Sequence, residues 1–298
     1  MPSSKEIRQN ISQQIVDALK SGNTLPWRQP WSNDPNVGLP TNATSTNRYS
    51  GVNPILLEIS RMRQGFQSKW WATYKQIQQL GANVNRGEKG TAITFYKNIP
   101  VKNKKTADEE REKTVPLLRT YHVFNVEQTD GLDQLRVGQG DSTTYIDDHH
   151  QEADALIDAT EADIRYGGNR AYYSPTTDHI QLPLRNQFAN ANNFYSTAMH
   201  ELVHWCGSRN RLNRTELSYA FEELVAEIGS CYTCTEIGIP ASDDLSGVTS
   251  YVQSWLHAMQ NDPSFIFKAA SHASKATDFL LDFRQSPVES QLLPVWSL

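Results

Sequence analysis

The spacing of apolar residues predicts helices along most of the chain. Ile7, Ile11, Ile15 and Leu19 lie four positions apart, which places them on one face of an amphipathic helix over residues 4–20. Pro54 suits the first turn of a second helix, because its missing N–H would have no partner there. Helical patterns are predicted over residues 54–64, 70–81, 149–163, 192–207, 219–236, 248–260 and 263–284.

Strand patterns are fewer and shorter. Residues 91–96 alternate between apolar and polar, and residues 117–126 are typical of the strand that returns beside them. The charged run 102–113 between them indicates a solvated loop. Two further short strands are predicted at residues 171–174 and 179–182. These elements predict an α+β fold. An N-terminal α+β domain spans residues 1–130, a Gly- and Asp-containing linker spans 131–148, and a mostly helical domain with a small sheet spans 149–298.

The sequence His200-Glu201-Leu202-Val203-His204 lies inside one of the predicted helices. Two histidines four residues apart project from the same helix face, about one turn from each other. This H-E-x-x-H arrangement supplies two metal ligands and a carboxylate that can act as general base. We therefore predict that His200 and His204 bind a metal ion and that Glu201 is catalytic.

A third protein ligand is expected from the acidic helix 219–236, because a catalytic zinc site has three protein ligands and one open position. Glu223 and Glu227 share a face of that helix, whereas Glu222 is offset by about 100°. We assign Glu223 as the ligand and expect Glu227 to accept a hydrogen bond from a ligand imidazole. The reverse assignment remains an alternative.

The predicted site implies one divalent metal ion, with Zn²⁺ expected and Mn²⁺ as the alternative. Zinc would lower the pKa of its bound water and polarise a peptide carbonyl, while Glu201 would accept the proton from that water. The strand at residues 171–174 would present an edge to an extended peptide. Stabilisation of the oxyanion is expected from one of four residues: Tyr172, Tyr173, His179 or Tyr219.

Charge divides the chain into two unlike halves. The net charge of −5 is the balance of +7 over residues 1–130 and −12 over the remainder. A basic half indicates a polyanionic partner. Single-stranded nucleic acid binds to positive grooves with aromatic faces on which bases stack. The candidate residues for single-stranded DNA are Trp27, Arg28, Trp31, Arg48, Tyr49, Lys69, Trp70, Trp71, Tyr74, Lys75, Arg86 and Lys89, of which we expect at most half of the aromatic ones to be exposed.

Several classes of protein are disfavoured by the sequence. No apolar run approaches the length of a membrane helix, and residues 1–8 lack the apolar stretch of a secretory signal. The three cysteines are predicted to be buried thiols rather than a disulfide framework. We therefore expect a cytoplasmic protein without a membrane partner. The sequence contains no helix-turn-helix, zinc-finger or RNP signature, so we do not expect it to recognise specific sequences in duplex DNA.

Taken in order, the motifs of the chain resemble those of ArdC-type antirestriction proteins of conjugative plasmids. The resemblance covers nearly the whole chain. It rests on residues 26–31, 49–53, 71–76, 87–90 and 123–126 in the first half, and on residues 171–175, 200–205 and 222–227 in the second. It implies an N-terminal domain that binds single-stranded DNA, a C-terminal zincin-like metallopeptidase domain, and protection of incoming plasmid DNA from host restriction.

Two functions are consistent with these expectations. In the first, the protein shields single-stranded DNA, and its metal site is competent but not required for protection. In the second, it is an active metalloprotease that cleaves a host protein, and DNA binding serves localisation or regulation. Because of their opposite charges, we also expect the two halves to be separable in their chemistry.

Overall fold

The computed structural model describes residues 3–21, 25–28, 34–101, 113–139, 151–215, 217–240 and 246–285. It confirms the predicted α+β fold class. Elements of the first half are α1 (Ser4–Ser21), β1 (Thr41–Asn42), α2 (Asn53–Gln64), β2 (Trp70–Thr73), α3 (Tyr74–Gln79), β3 (Asn83–Val84), β4 (Thr91–Val101), β5 (Lys113–Asn125) and β6 (Thr129–Asp130). Elements of the second half are α4 (Gln151–Ala159), β7 (Asp163–Tyr166), β8 (Tyr172–Ser174), β9 (His179–Leu182), α5 (Ala191–Cys206), α6 (Tyr219–Glu236), α7 (Ser246–Asn261) and α8 (Phe265–Asp282).

A four-stranded sheet of order β1-β2-β5-β4 organises the first half. Strands β4 and β5 form a long antiparallel hairpin, with eleven residue pairs from Thr91↔Val123 to Val101↔Lys113. On one side of the sheet Ile93 and Val123 pack with Leu57 of α2. Strands β3 and β6 form a separate two-stranded pair.

The helix predicted over residues 70–81 is partly wrong. Residues 70–73 form strand β2, and the helix begins only at Tyr74. Thr73 stops the strand by capping α3: its side chain accepts a hydrogen bond from the backbone N–H of Gln76, and the side chain of Gln76 bonds back to Thr73. Most of the predicted charged loop 102–113 lies outside the described residues, except Lys113, which begins β5.

The start of the predicted linker, residues 131–139, packs against the first half. Leu132 is buried in a cluster with Ala72 and Ile77. The side-chain amide of Asn36 donates to the backbone carbonyl of Arg136 over 2.9 Å. Residues 140–148 lie outside the described residues, and the domain boundaries at 130 and 149 stay predictions.

The second half places a three-stranded sheet of order β7-β9-β8 beside a group of helices. Strands β8 and β9 lie where two strands were predicted and are antiparallel to each other, whereas β7 was not predicted. The predicted helix 219–236 agrees residue for residue with α6. The described part of helix α4 ends at Ala159, earlier than predicted, and residues 149–150 lie outside the described residues. No described helix has the length and apolar character needed to span a lipid bilayer.

One large hydrophobic core is shared by the two halves. Buried side chains of α1 belong to the same cluster as those of α5, α6, α7 and α8. Trp27, with no exposed surface, packs edge-on against Trp255 of α7 with ring centroids 6.1 Å apart. The hydroxyl of Ser12 in α1 donates to the backbone carbonyl of Met259. The two halves therefore pack on each other through one core, and their separability in chemistry stays a prediction.

Candidate functional site

Helix α5 carries the two motif histidines and is fixed by its own ends and inner face. The side chain of Asn190 caps its first turn by accepting from the backbone N–H of Asn193. Met199, Leu202 and Val203 are fully buried, so the helix cannot rotate without opening the core. His200 and His204 remain partly accessible, with 24% and 14% of their side chains exposed.

Helix α6 approaches α5 closely enough to bring a carboxylate to these histidines. A Cβ atom on Gly229 would lie 3.1 Å from both methyl groups of Val203, which is closer than side chains normally pack. Glycine at this position therefore permits the close contact between the helices. One result is that Glu223 reaches the imidazoles of His200 and His204.

The three side chains have the geometry of a metal site. The Nε2 atoms of His200 and His204 are 3.2 Å apart, and Glu223 Oε2 lies 3.5 Å from Nε2 of His200. Glu223 Oε1 lies 3.7 Å from Nε2 of His204. Ligands of a tetrahedral zinc ion bonded at about 2.0–2.2 Å are separated by about 3.3–3.5 Å. Two imidazole nitrogens and one carboxylate oxygen are also a known ligand set for catalytic zinc. The residues therefore fit a divalent ion.

Electrostatics favour positive charge at this position. Burial by itself would lower the pKa of His200, but the hydrogen bond with Glu223 and the nearby charges of Glu201 and Glu227 outweigh it and raise that pKa. Burial would likewise raise the pKa of Glu223, yet its contacts with the two histidines lower it. The same negative environment stabilises a bound cation.

Glu201 lies inside the protein beside the histidines, with 7% of its surface exposed. Burial raises the pKa of its carboxyl group, against the opposing charges of His200 and His204. The backbone N–H of Tyr173 in β8 faces this carboxylate and opposes the rise of its pKa. The side chain of Glu201 thus lies between its own helix α5 and strand β8.

The carboxylate that lies beside an imidazole of the candidate ligands is Glu222, whereas Glu227 was predicted there. Glu222 Oε1 lies 3.4 Å from Nδ1 of His204, the nitrogen on the far side of the ring from the site. Arg214 holds Glu222 with contacts of 2.7 and 3.1 Å and also donates to the backbone carbonyl of Val203. The 100° offset of Glu222 on α6 turns it towards the outer side of His204.

Glu227 is instead paired with a residue of the first half. Arg28 donates from Nε to Glu227 Oε1 over 3.1 Å, and its Nη2 lies at the same distance. Only 9% of the Arg28 side chain and 6% of the Glu227 side chain are exposed. Arg28 was predicted to contact DNA. This prediction is wrong, because its guanidinium is buried in an ion pair and is not accessible to a phosphate.

Among the residues considered for the oxyanion, Tyr219 interacts with the candidate ligand Glu223. Its hydroxyl is hydrogen-bonded to that of Tyr251 over 2.9 Å and interacts with Glu223, and both contacts raise its pKa. Its side chain is among the most exposed large side chains of the described part of the protein. By contrast, the hydroxyl of Tyr173 donates a hydrogen bond to Asp178, and Nδ1 of His179 is hydrogen-bonded to the hydroxyl of Thr177.

The predicted DNA-binding residues fall into several groups. Trp71 is buried against Phe66, and Trp27 is buried against Trp255, so the stacking role predicted for both tryptophans is wrong. Each closes a hydrophobic core. Trp31 lies outside the described residues.

Three candidates are partly buried and tied to protein groups. Trp70 donates from Nε1 to Asn36, and the ammonium group of Lys69 lies 5.0 Å from the Trp70 ring centre. The hydroxyl of Tyr49 accepts from Asn42.

A further candidate, Arg48, pairs with carboxylates of the second half. Its guanidinium lies 2.9 Å from Asp278 and 3.4 Å from Glu236. The exposed candidates are Tyr74, Lys75, Arg86 and Lys89.

Sequence reasoning missed three exposed aromatic residues on the β4–β5 hairpin. Phe95, Tyr96 and Tyr121 are 59%, 45% and 43% exposed. The signal available in the sequence was the presence of these aromatic residues within the two predicted strands, 91–96 and 117–126. It also missed Glu222 and Arg214, whose roles depend on contacts between distant parts of the chain.

Comparison with known proteins agrees with this architecture. Residues 5–124 match the N-terminal domain of anti-restriction factor ArdC, and residues 151–272 match a zincin-like metallopeptidase domain. The chain thus joins an ArdC N-terminal domain to a zincin-like metallopeptidase domain.

Similar structures and sequences cover both halves. The crystal structure of metal-free antirestriction ArdC from plasmid R388 is 38% identical, with a TM-score of 0.78 over 93% of this chain and 97% of that one. The Mn(II)-bound ArdC structure gives 0.76, 94% and 98% at the same identity. The protein belongs to the ArdC antirestriction family. An uncharacterized protein of Sinorhizobium fredii, y4eC, is 31% identical over 92% of this chain and 91% of its own length.

The chain also matches part of a much longer protein. DNA primase TraC of Escherichia coli is 38% identical over 96% of this chain, and a second TraC is 37% identical over 97%. The chain spans 28% and 21% of the lengths of these two primases.

Proposed function

We propose that this protein binds single-stranded DNA without sequence preference and protects incoming conjugative DNA from host restriction. Its membership of the ArdC antirestriction family carries the proposal. The +7 balance of residues 1–130 supports a polyanionic partner, and the exposed Tyr74, Lys75, Arg86 and Lys89 supply stacking and phosphate-contacting groups.

We further propose that the second half is a metallopeptidase with one divalent ion held by His200, His204 and Glu223. Bound metal would act as a Lewis acid and lower the pKa of a water molecule in the open position. Zn²⁺ is the expected ion, while the Mn(II)-bound ArdC structure supports Mn²⁺ as the alternative. His204 is oriented for this role by Glu222, which faces its other ring nitrogen.

Glu201 would move the proton in this site. Its buried carboxylate lies beside His200 and His204, where it would accept the proton from the attacking water and then deliver it to the leaving amine. Burial raises its pKa, which makes the carboxylate a stronger proton acceptor. Tyr219 is our candidate for the hydroxyl that stabilises the oxyanion, because it is exposed beside Glu223.

An extended protein segment is the substrate that this geometry favours. Strand β8 pairs with β9 on one side and is an outer strand of its sheet, and no strand among the described residues pairs with its other edge, which suits the addition of a further strand. The backbone N–H of Tyr173 faces Glu201, which supports a substrate segment running along β8 beside the proposed general base.

A second candidate function is proteolysis of a host protein as the means of protection. Glu201 supports it, since a structural metal site has no need of a general base between its histidines. The decisive experiment is an antirestriction assay of Glu201→Gln, with Glu161→Gln as an exposed Glu→Gln control. We expect the Glu201 variant to keep metal and single-stranded DNA binding and to lose any peptidase activity.

Protection in that assay separates the two functions. If protection survives in Glu201→Gln, binding of DNA is sufficient. If it disappears while DNA binding is intact, proteolysis is the mechanism, and a cleaved host protein should be detectable. Failure of the unaltered protein to bind single-stranded DNA would overturn the first proposal.

A further inference from the structure

The β4–β5 hairpin carries aromatic side chains that the rest of the described structure leaves exposed. In its register Phe95 is opposite Arg119, and Ile93 is opposite Tyr121. Residues directly opposite in an antiparallel pair lie on the same face, and so do residues two apart along a strand. Phe95, Tyr121 and Arg119 therefore form one surface, which we call the hairpin platform.

The hairpin platform continues a row of buried residues. Nearer the base of the hairpin, Ile93 and Val123 on the same face are packed in a cluster with Leu57 of α2. Further out the row continues as Phe95 and Tyr121, whose rings meet edge to face with centroids 6.3 Å apart and planes at 86°. Single exposed aromatic residues are common, but an exposed pair in contact at the end of a core indicates a binding surface.

The charge around the platform favours a polyanion. Arg119 is exposed on the platform itself. Over the described stretches 86–101 and 113–119 the sequence has five Lys and Arg residues against one Glu residue. On the other face of the hairpin, the guanidinium of Arg8 lies 6.0 Å from the ring centre of Tyr96. Protein-binding surfaces are depleted of lysine, whereas single-strand-binding surfaces combine positive charge with aromatic faces.

We propose that the hairpin platform is a contact surface for single-stranded DNA, on which unpaired bases stack against Phe95 and Tyr121 while Arg119 contacts a phosphate. This proposal rests on the proposed binding of single-stranded DNA and assigns it to residues that the sequence did not single out. Duplex DNA is disfavoured as the ligand because its bases already stack on each other and offer no free faces.

The test compares full-length variants by fluorescence anisotropy with a labelled thymidine 30-mer and with a duplex of the same length. Stacking on an aromatic residue changes affinity by about 5–150-fold per base when that residue is replaced by alanine. We expect the double variant Phe95→Ala/Tyr121→Ala to bind the single strand at least about tenfold more weakly. The variant Phe95→Tyr/Tyr121→Phe, which keeps both aromatic rings, should bind the single strand as tightly as the unaltered protein.

Charge and stacking are separated by salt. Arg119→Gln should make the plot of log affinity against log salt concentration less steep, by the amount that corresponds to about one lost phosphate contact. The aromatic double variant should leave this slope unchanged. The matched control is Tyr166→Ala, which removes a tyrosine of similar exposure from the acidic half and should leave affinity unchanged. Melting temperature and metal content of every variant establish that it is folded.

The outcomes distinguish this inference from the proposed function. If the unaltered protein does not bind the 30-mer, the proposed function itself fails. If it binds, and the folded aromatic double variant binds equally well, the hairpin platform is not the DNA surface. Loss of antirestriction with unchanged DNA affinity would overturn the inference in favour of a protein partner.

Discussion

The ion pair between Arg28 and Glu227 should make a large contribution to the stability of the whole chain. Both side chains are more than nine-tenths buried, and two guanidinium nitrogens lie 3.1 Å from the same carboxylate oxygen. Replacing Arg28 by Met leaves the carboxylate of Glu227 buried without its counter-charge. Loss of one partner of a buried pair destabilises a protein by about 3–5 kcal/mol. At about 2–4 °C per kcal/mol, the melting temperature should fall by about 6–20 °C.

A double-mutant cycle isolates the pair. Glu227→Met alone should also destabilise the protein, because the guanidinium then remains buried without this carboxylate. The double variant Arg28→Met/Glu227→Met should recover most of the loss, since apolar replacement of a whole buried pair is often close to neutral. Unfolding in urea at neutral pH measures all four proteins. The exposed pair of Arg165 and Asp163 provides the control, and Arg165→Met should not change the transition measurably.

The same cycle tells whether Arg28 supports the metal site. Glu227 is one helical turn from Glu223, so a displaced Glu227 would disturb the helix that carries the third ligand. We expect Arg28→Met to weaken metal binding, measured by competition with a chelator. If the two single variants have additive effects on stability, the interaction that we read from the structure does not contribute. Unchanged metal affinity would confine the role of the pair to stability.

Three further predictions concern other contacts. Glu222→Gln should weaken metal binding about 10–100-fold by chelator competition, because Glu222 orients His204; equal affinity would exclude that role. Trp27→Ala should lower the free energy of unfolding by about 3–5 kcal/mol, because Trp27 fills the core. The folded variant should bind single-stranded DNA with unchanged affinity; a lower affinity would contradict a purely structural role for Trp27. The hydrogen bond from Arg211 lowers the pKa of Asp178. The ionised carboxylate therefore stabilises the fold at pH values above the ordinary aspartate pKa of about 4, and this contribution is lost as the pH falls through the lowered pKa of Asp178. In urea unfolding, Asp178→Asn should therefore reduce the loss of stability on acidification; an unchanged acid dependence would exclude Asp178 as its source.

Local patterns were sufficient to predict the metal-site helices. Spacing of four places His200 and His204 on one face whatever the tertiary structure, and α6 has apolar residues and boundaries that follow from its own sequence. The choice between Glu222 and Glu227 depended on something else, the orientation of α6 against α5. That orientation is set in part by the contact of Gly229 with Val203, which helical periodicity does not describe.

Aromatic composition was a weaker guide to DNA contacts. Tryptophan is as suitable for filling a core as for stacking on a base, and Trp27 and Trp71 are used for the first purpose. Which aromatic residues remain exposed depends on the strand register of the hairpin, since it decides which side chains extend beyond α2. The sequence alone could place Phe95 and Tyr121 in strands but could not pair them across the sheet.

The shared core has a consequence for how such a chain can be inherited. A break between the halves would expose the apolar face of α1, together with Trp27 and its neighbour Trp255. Recombination that transferred one half alone would therefore deliver a fragment prone to aggregation. Fusion of the intact block avoids this penalty, and the TraC primases match this chain across both halves within their much longer sequences. The ion pair of Arg28 and Glu227 makes the same demand at the level of single residues, because a substitution on one side is tolerated best when the other side changes with it.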